Sequence, residues 1–95
     1  MESEWLEWDD RKAVSNLRKH RVSFFEAATV FDDPNALIEP DPVHSTEELR
    51  AKAIGFSIRN RVLLVVYVER LERIRIVSAR KATLEERRRY ESQFE

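Results

Sequence analysis

The chain contains no cysteine and only one glycine, Gly55, in 95 residues. The first absence excludes disulfides, zinc–thiolate sites and a thiol nucleophile, and gives no sign of an oxidising compartment. The second excludes a glycine-rich phosphate cradle, which needs several residues tolerant of positive φ. No Ser-x-Gly elbow is present to present a hydroxyl nucleophile. The two histidines, His20 and His44, stand far apart, and neither belongs to a cluster with ligand spacing, so no metal site is expected. No run approaches the roughly 20 apolar residues that span a bilayer. The acidic start, Met1-Glu2-Ser3-Glu4-Trp5, lacks the apolar segment of a secretory signal. These features predict a cytoplasmic protein with no cofactor and no membrane contact. With 42% hydrophobic residues, a chain of this length has enough for one core, so a single domain over 1–95 is expected.

A net charge of -1 conceals a polarised chain. Residues 1–58 carry 7 Lys+Arg against 12 Asp+Glu, whereas residues 59–95 carry 10 against 6. A basic half of this kind suits a polyanion or an oppositely charged protein partner.

Local patterning predicts the order β-α-α-β-β-β-β-α, an α+β domain with an antiparallel sheet of about four to five strands and its helices on one face. Alternation at Glu4-Trp5-Leu6-Glu7-Trp8 gives a short first strand. Asp9 or Asp10 then caps a helix to His20, in which Ala13, Leu17 and His20 recur at core spacing and Arg18 and Lys19 turn outward. Ser23 and Glu26 form a capping box, with Val22 stapled on Ala27, and open a helix that packs Phe24, Ala27, Ala28 and Phe31 before Pro34. Residues 36–39 form a strand closed by Pro40 and Pro42, residues 41–48 a polar loop containing His44, and residues 49–58 a strand in which Gly55 marks a bulge. Asn60 turns the chain into an apolar central strand, residues 61–70. Thr83 and Glu86 form a second capping box, opening a helix with Arg87, Arg88, Arg89, Tyr90 and Phe94.

The richest segment is Arg73-Ile74-Arg75-Ile76-Val77-Ser78-Ala79-Arg80-Lys81-Ala82-Thr83. Strand alternation puts Ile74, Ile76 and Ser78 on one face and Arg73, Arg75 and Val77 on the other. If Ile74 and Ile76 share a core with Val66 and Val68, hairpin pairing sets Tyr67 opposite Arg75 and Glu69 opposite Arg73. Arg61, Tyr67, Glu69, Arg73 and Arg75 then share one open sheet face. That group can orient a phosphodiester, stabilise a pentavalent phosphorane and move a proton, with the RNA 2′-hydroxyl as nucleophile. It can equally be a salt-bridge ladder on a wet face, or a surface that docks a partner without catalysis.

Read in order, Asn16-Leu17-Arg18-Lys19-His20, Val22-Ser23-Phe24, Phe31-Asp32-Asp33-Pro34, Ala53-Ile54-Gly55, Val66-Tyr67 and the stretch from Arg73 through Thr83 to Arg87 resemble the BrnT family over about residues 8–90. The resemblance implies a toxin of a type II toxin–antitoxin pair with a fold similar to the RelE ribonucleases. It implies RNA cleavage that inhibits translation, and the lack of a metal-ligand cluster in the sequence makes the expected endoribonuclease metal-independent. Its implied partners are RNA and a BrnA-type antitoxin, with DNA reached only indirectly through the antitoxin complex. Carried over by motif, Arg61, Glu69, Arg75 and Arg80 are the catalytic candidates. Lys19, His20, Tyr67 and Lys81 are candidates for RNA binding on their own positions in this sequence. The competing class is a non-catalytic protein-interaction module acting through the same basic face. Two positions depart from the family: Arg21 stands where a glycine commonly ends the helix, and Leu71-Glu72 where a glycine-bearing turn is common.

Overall fold

A computed structural model describes residues 5–42 and 48–95. Glu4 in the first strand, and the part of the polar loop that holds His44, lie outside the described residues. The elements are β1 (Leu6–Trp8), α1 (Asp10–His20), α2 (Phe24–Thr29) continued by a 3-10 turn (Val30–Asp32), β2 (Leu37–Pro40), β3 (Leu49–Phe56), β4 (Val62–Arg70), β5 (Arg73–Lys81) and α3 (Leu84–Ser92). The α+β order expected from the sequence is the order observed. No helix among the described residues is long and apolar enough to cross a membrane.

The five strands lie in the order β1-β5-β4-β3-β2. Three junctions are antiparallel, but β1 runs parallel to β5, with Glu7 beside Arg75. The sheet is therefore mixed. The chain passes through both helices after β1, so no hairpin dictates that strand's direction. Helices also cover both faces. On the first face Leu63, Val65 and Tyr67 join Phe24, Ala27 and Val30 of the α2 region in the main core. On the second, Val62, Leu64 and Ile54 pack under Tyr90 of α3. A strand that is apolar on both faces, like β4, is buried on both, and this is why α3 finds a seat opposite the other helices.

The β4–β5 hairpin differs from the expected register. Val66 pairs with Ser78 but Tyr67 with Ile76, leaving Val77 as a bulged extra residue. Arg75 thus faces Val68, and Glu69 faces Ile74. Periodicity could not choose which face of β4 meets Ile74 and Ile76, because both are apolar; the structure places them with Tyr67. That ring packs edge-on to Phe31 at 5.1 Å.

Gly55 is no bulge: it pairs regularly with Leu63. Its role is close approach, since an added Cβ would meet Val30 Cγ1 at 2.9 Å and Ala36 Cβ at 3.0 Å. The conformations that ordinarily call for glycine fall instead on Arg21 (φ 59), Asn60 (φ 62) and Leu71 (φ 52). Asn tolerates this region; Arg and Leu do so at a cost. Opposite outcomes follow in urea denaturation. Leu71→Gly in the exposed hairpin turn raises stability by about 0.5–1 kcal/mol. Gly55→Ala lowers it by about 1–3 kcal/mol through overpacking.

Candidate nucleic-acid interface

The C-terminal half of α1 is positioned by one buried amide. Asp9 caps the helix through the N–H groups of Arg11 and Lys12. Its expected core stripe is then only partly realised: Ala13 is half-buried, but Leu17 and Val14 are exposed, and the buried residue is Asn16. The Asn16 amide donates to the carbonyls of Ala79 at 2.8 Å and Val22 at 2.9 Å, and its oxygen accepts the Ala79 N–H at 3.1 Å. Because β1 pairs only with Ile74, Arg75 and Ile76 of β5, this side chain serves Ala79 on the same strand as a neighbouring strand would.

The result is a cleft of about 230 Å³ at the β5 edge, lined by Lys12, Ser15, Asn16, Lys19, His20, Val77 and Ser78. Lys19 and His20 make no ion pair among the described residues. The bulge at Val77 has a second effect. Unbroken alternation would separate Arg75 and Arg80 by five positions onto opposite faces; the extra residue brings both to the second face, with Ser78 between them.

Most arginines of that face are already partnered. Glu7 pairs with Arg75 at 2.9 Å and Arg73 at 2.7 Å. Burial opposes ionisation of Glu7, but the Arg75 guanidinium, with Arg73 beside it, holds its carboxyl below the usual range. Arg70 pairs with Glu48. Arg80 grips Glu86 through two bonds of 2.8 and 3.0 Å, while Glu86 completes the α3 capping box with Thr83. The Arg80 contact, with help from the Thr83 N–H, holds Glu86 down to about 2. This is the ladder reading made real, although Arg75 and Arg80 keep 30% and 38% of their side-chain surface exposed.

The remaining candidates do not converge on that face. Tyr67 is buried in the main core, and burial pushes its phenol upward. Arg61 lies on the first face, where it holds Glu26 through bonds of 2.7 and 2.6 Å and donates to the Arg21 carbonyl at 2.8 Å. Ser57 completes the Glu26 shell at 2.7 Å. Glu26 is thus consumed by Arg61, and only the Ser23 half of its expected capping box forms. Glu69 is exposed at the far end of β4, beside Leu49 and Ile74 on the first face. Lys81 leaves β5 beside Leu63 and lines a separate small cleft with Asn60, Arg61 and Arg87. The common face expected for Arg61, Tyr67, Glu69, Arg73 and Arg75 is therefore not formed: Arg61, Tyr67 and Glu69 lie on the first face, and Arg73 and Arg75 on the second. Asn16, Glu7, Lys12 and Ser78 are the residues that sequence reasoning left without a role. A polar residue at an inward helical position signals Asn16; Glu7 emerges only from the parallel pairing. Among the described residues no three of His, Asp and Glu gather as a metal-ligand group.

The family model described as ribonuclease toxin, BrnT, of type II toxin–antitoxin system matches residues 8–86. The chain belongs to the BrnT family. The 1.1 Å crystal structure of the Brucella abortus ribonuclease toxin BrnT superimposes with a TM-score of 0.66 at 20% identity, covering 85% of this chain and 99% of that one. At that identity the likeness concerns the fold. No curated protein sequence matches the chain. As a member of the BrnT family, the chain is a ribonuclease toxin of a type II system, and the expected resemblance holds.

Two outcomes follow from the polar struts. Asn16→Ala strands two buried backbone groups of Ala79, so the urea midpoint should report a loss of about 2–4 kcal/mol. The second concerns pH. Glu86, Glu26 and Asp33 all have depressed folded values, so their contribution is present above the unfolded carboxylate range and lost as pH falls. Stability should decline steadily from about pH 5 towards pH 2, and Glu86→Gln should flatten part of that decline.

Proposed function

We propose that this BrnT-family chain is a metal-independent endoribonuclease of the cytoplasm that arrests translation and is neutralised by a BrnA-type antitoxin, whose complex meets DNA only through the antitoxin. The observation that carries the reading is the edge of β5. Lys19 and His20, which make no ion pair among the described residues, stand across the Ser78 cleft from a strand that presents Arg75 and Arg80 on one face. An RNA backbone laid along this edge meets cations from both sides.

In the proposed reaction the ribose 2′-hydroxyl attacks the adjacent phosphorus, the P–O5′ bond breaks, and a 2′,3′-cyclic phosphate and a 5′-hydroxyl result. His20 handles the proton, since it lines the cleft and a neutral imidazole carries both an acceptor and a donor nitrogen. Lys19, Arg75 and Arg80 hold the phosphate and the charge that develops on it. A guanidinium carries five N–H donors, and Glu7 occupies only part of those of Arg75, leaving it able to bind while staying aimed. Arg61 and Tyr67 serve structure in this reading, as latch and core. Lys81 is kept as an outlying contact for a longer RNA.

The protein freed from its partner should cleave RNA in EDTA and leave cyclic or 3′-phosphate ends. Arg75→Ala and His20→Ala should each lower the cleavage rate roughly a hundredfold with the fold intact. Cleavage that stops with chelator and returns with a divalent ion overturns metal independence. RNA left untouched by the folded chain under both conditions makes the basic face a docking surface instead.

A further inference from the structure

On the side of α1 away from the Ser78 cleft, the molecule leaves an apolar cleft of about 490 Å³ open between α1 and α2. Its apolar walls are Trp8, Ala13, Val14, Leu17, Phe24 and Phe25, with Asp10 and Ser23 as the polar groups of the lining. Three of these are exposed at levels unusual for their type: Val14 at 58%, Leu17 at 49% and Phe25 at 60%. Helical spacing explains the arrangement. Positions 13, 14 and 17 share one side of α1, while 12, 16 and 19 look towards β5, so Asn16 locks the helix in the one rotation that leaves its apolar stripe outside. The Phe25 ring is held edge-on against Trp8 at 5.2 Å, which fixes the opposite wall. A contiguous apolar surface of this kind marks an interaction site.

We infer that this cleft is the seat of an amphipathic, acid-flanked helix of the antitoxin, an inference that rests on reading the chain as a toxin held by a protein partner. Three features select that occupant. The walls are aliphatic and aromatic, as suits a helix bearing apolar anchors at i, i+3 or i+4, and i+7. The rim is basic towards the C-terminal end of α1: of the cations that do not look towards β5, Arg18 and the cap residue Arg21 stand there, while the carboxylates Asp9 and Asp10 are confined to the helix's N-terminal end. Arg18 and Arg21 extend the stripe one turn beyond Val14 and Leu17 and make no side-chain ion pair among the described residues, so their charge is available to acids on the incoming helix. A helix seated there lies one helix-width from Lys19 and His20 and shades the β5 edge from a long RNA without entering it.

The test titrates the chain with the antitoxin of its own toxin–antitoxin pair by calorimetry, alongside RNA cleavage by the free chain and sedimentation velocity. Val14→Glu and Phe25→Glu alter exposed positions and should each weaken antitoxin binding at least about tenfold, while cleavage stays at the parental value; the urea midpoint is parental in Val14→Glu and somewhat lower in Phe25→Glu, which gives up its edge contact with Trp8. Arg18→Glu should slow association most at low salt. Antitoxin affinity within about twofold of the parent in both glutamate variants overturns the inference. So does a parent that self-associates through the cleft, becoming monomeric in Phe25→Glu with antitoxin affinity unchanged, or a loss of cleavage with antitoxin binding retained, which would assign the cleft to RNA. Cleft-dependent antitoxin binding by a chain that cuts no RNA upholds the docking site and removes the endoribonuclease proposal alone.

Discussion

Much of this fold hangs on the carboxamide of Asn16. It occupies the place along β5 where β1 has already ended and supplies the donor and acceptor that Ala79 would otherwise lack in a buried setting. A helix tied to a strand by a side chain cannot rotate, and its rotation decides everything displayed on it: Lys19 and His20 over the Ser78 edge, Val14 and Leu17 on the opposite side. One polar contact therefore sets two surfaces of unlike chemistry. Hydrophobic packing alone would have turned Leu17 inward.

Carboxylates play a parallel part elsewhere. Glu26 joins α2 to the start of β4 through Arg61, and Glu86 joins the start of α3 to the end of β5 through Arg80. Asp33 receives the Tyr90 hydroxyl at 2.6 Å and the Phe56 N–H at 2.8 Å, so the 3-10 turn, β3 and α3 meet on one side chain. Burial, together with that bond, raises Tyr90 to about 12 and keeps it a donor. Buried or half-buried charges of this sort give little net stability against an apolar substitute, but breaking one partner is costly, and they fix the geometry of contact. In a domain with so few glycines and no cysteine, they do the joining that tight turns and disulfides do in others.

The sequence made the skeleton legible wherever a local signal was strong. The Thr83 capping box, a cap at Asp9 or Asp10 and the Asn60 turn were readable because each depends on residues near in sequence, whereas the left-handed backbones of Arg21 and Leu71 were signalled only by the glycines that the family carries there. What escaped reading depended on partners far away. The ion pairs between Arg61 and Glu26 and between Arg75 and Glu7 connect residues whose proximity only the finished sheet creates. The parallel pairing of β1 and the seat of α3 on the second face are likewise consequences of topology. Tyr67 was misplaced for a simpler reason: on a strand greasy on both sides, alternation carries no information about which side is which.

The bulge at Val77 has a consequence for how this surface can change over time. Because one unpaired residue sets the phase of everything towards the hairpin, losing or gaining a single codon there would leave Arg73, Arg75 and Arg80 all present and yet carry Arg75 through the thickness of the sheet. Two relatives could then share every arginine in an alignment and carry them on different faces of the sheet. Inheritance of the site is inheritance of a length as well as of residues.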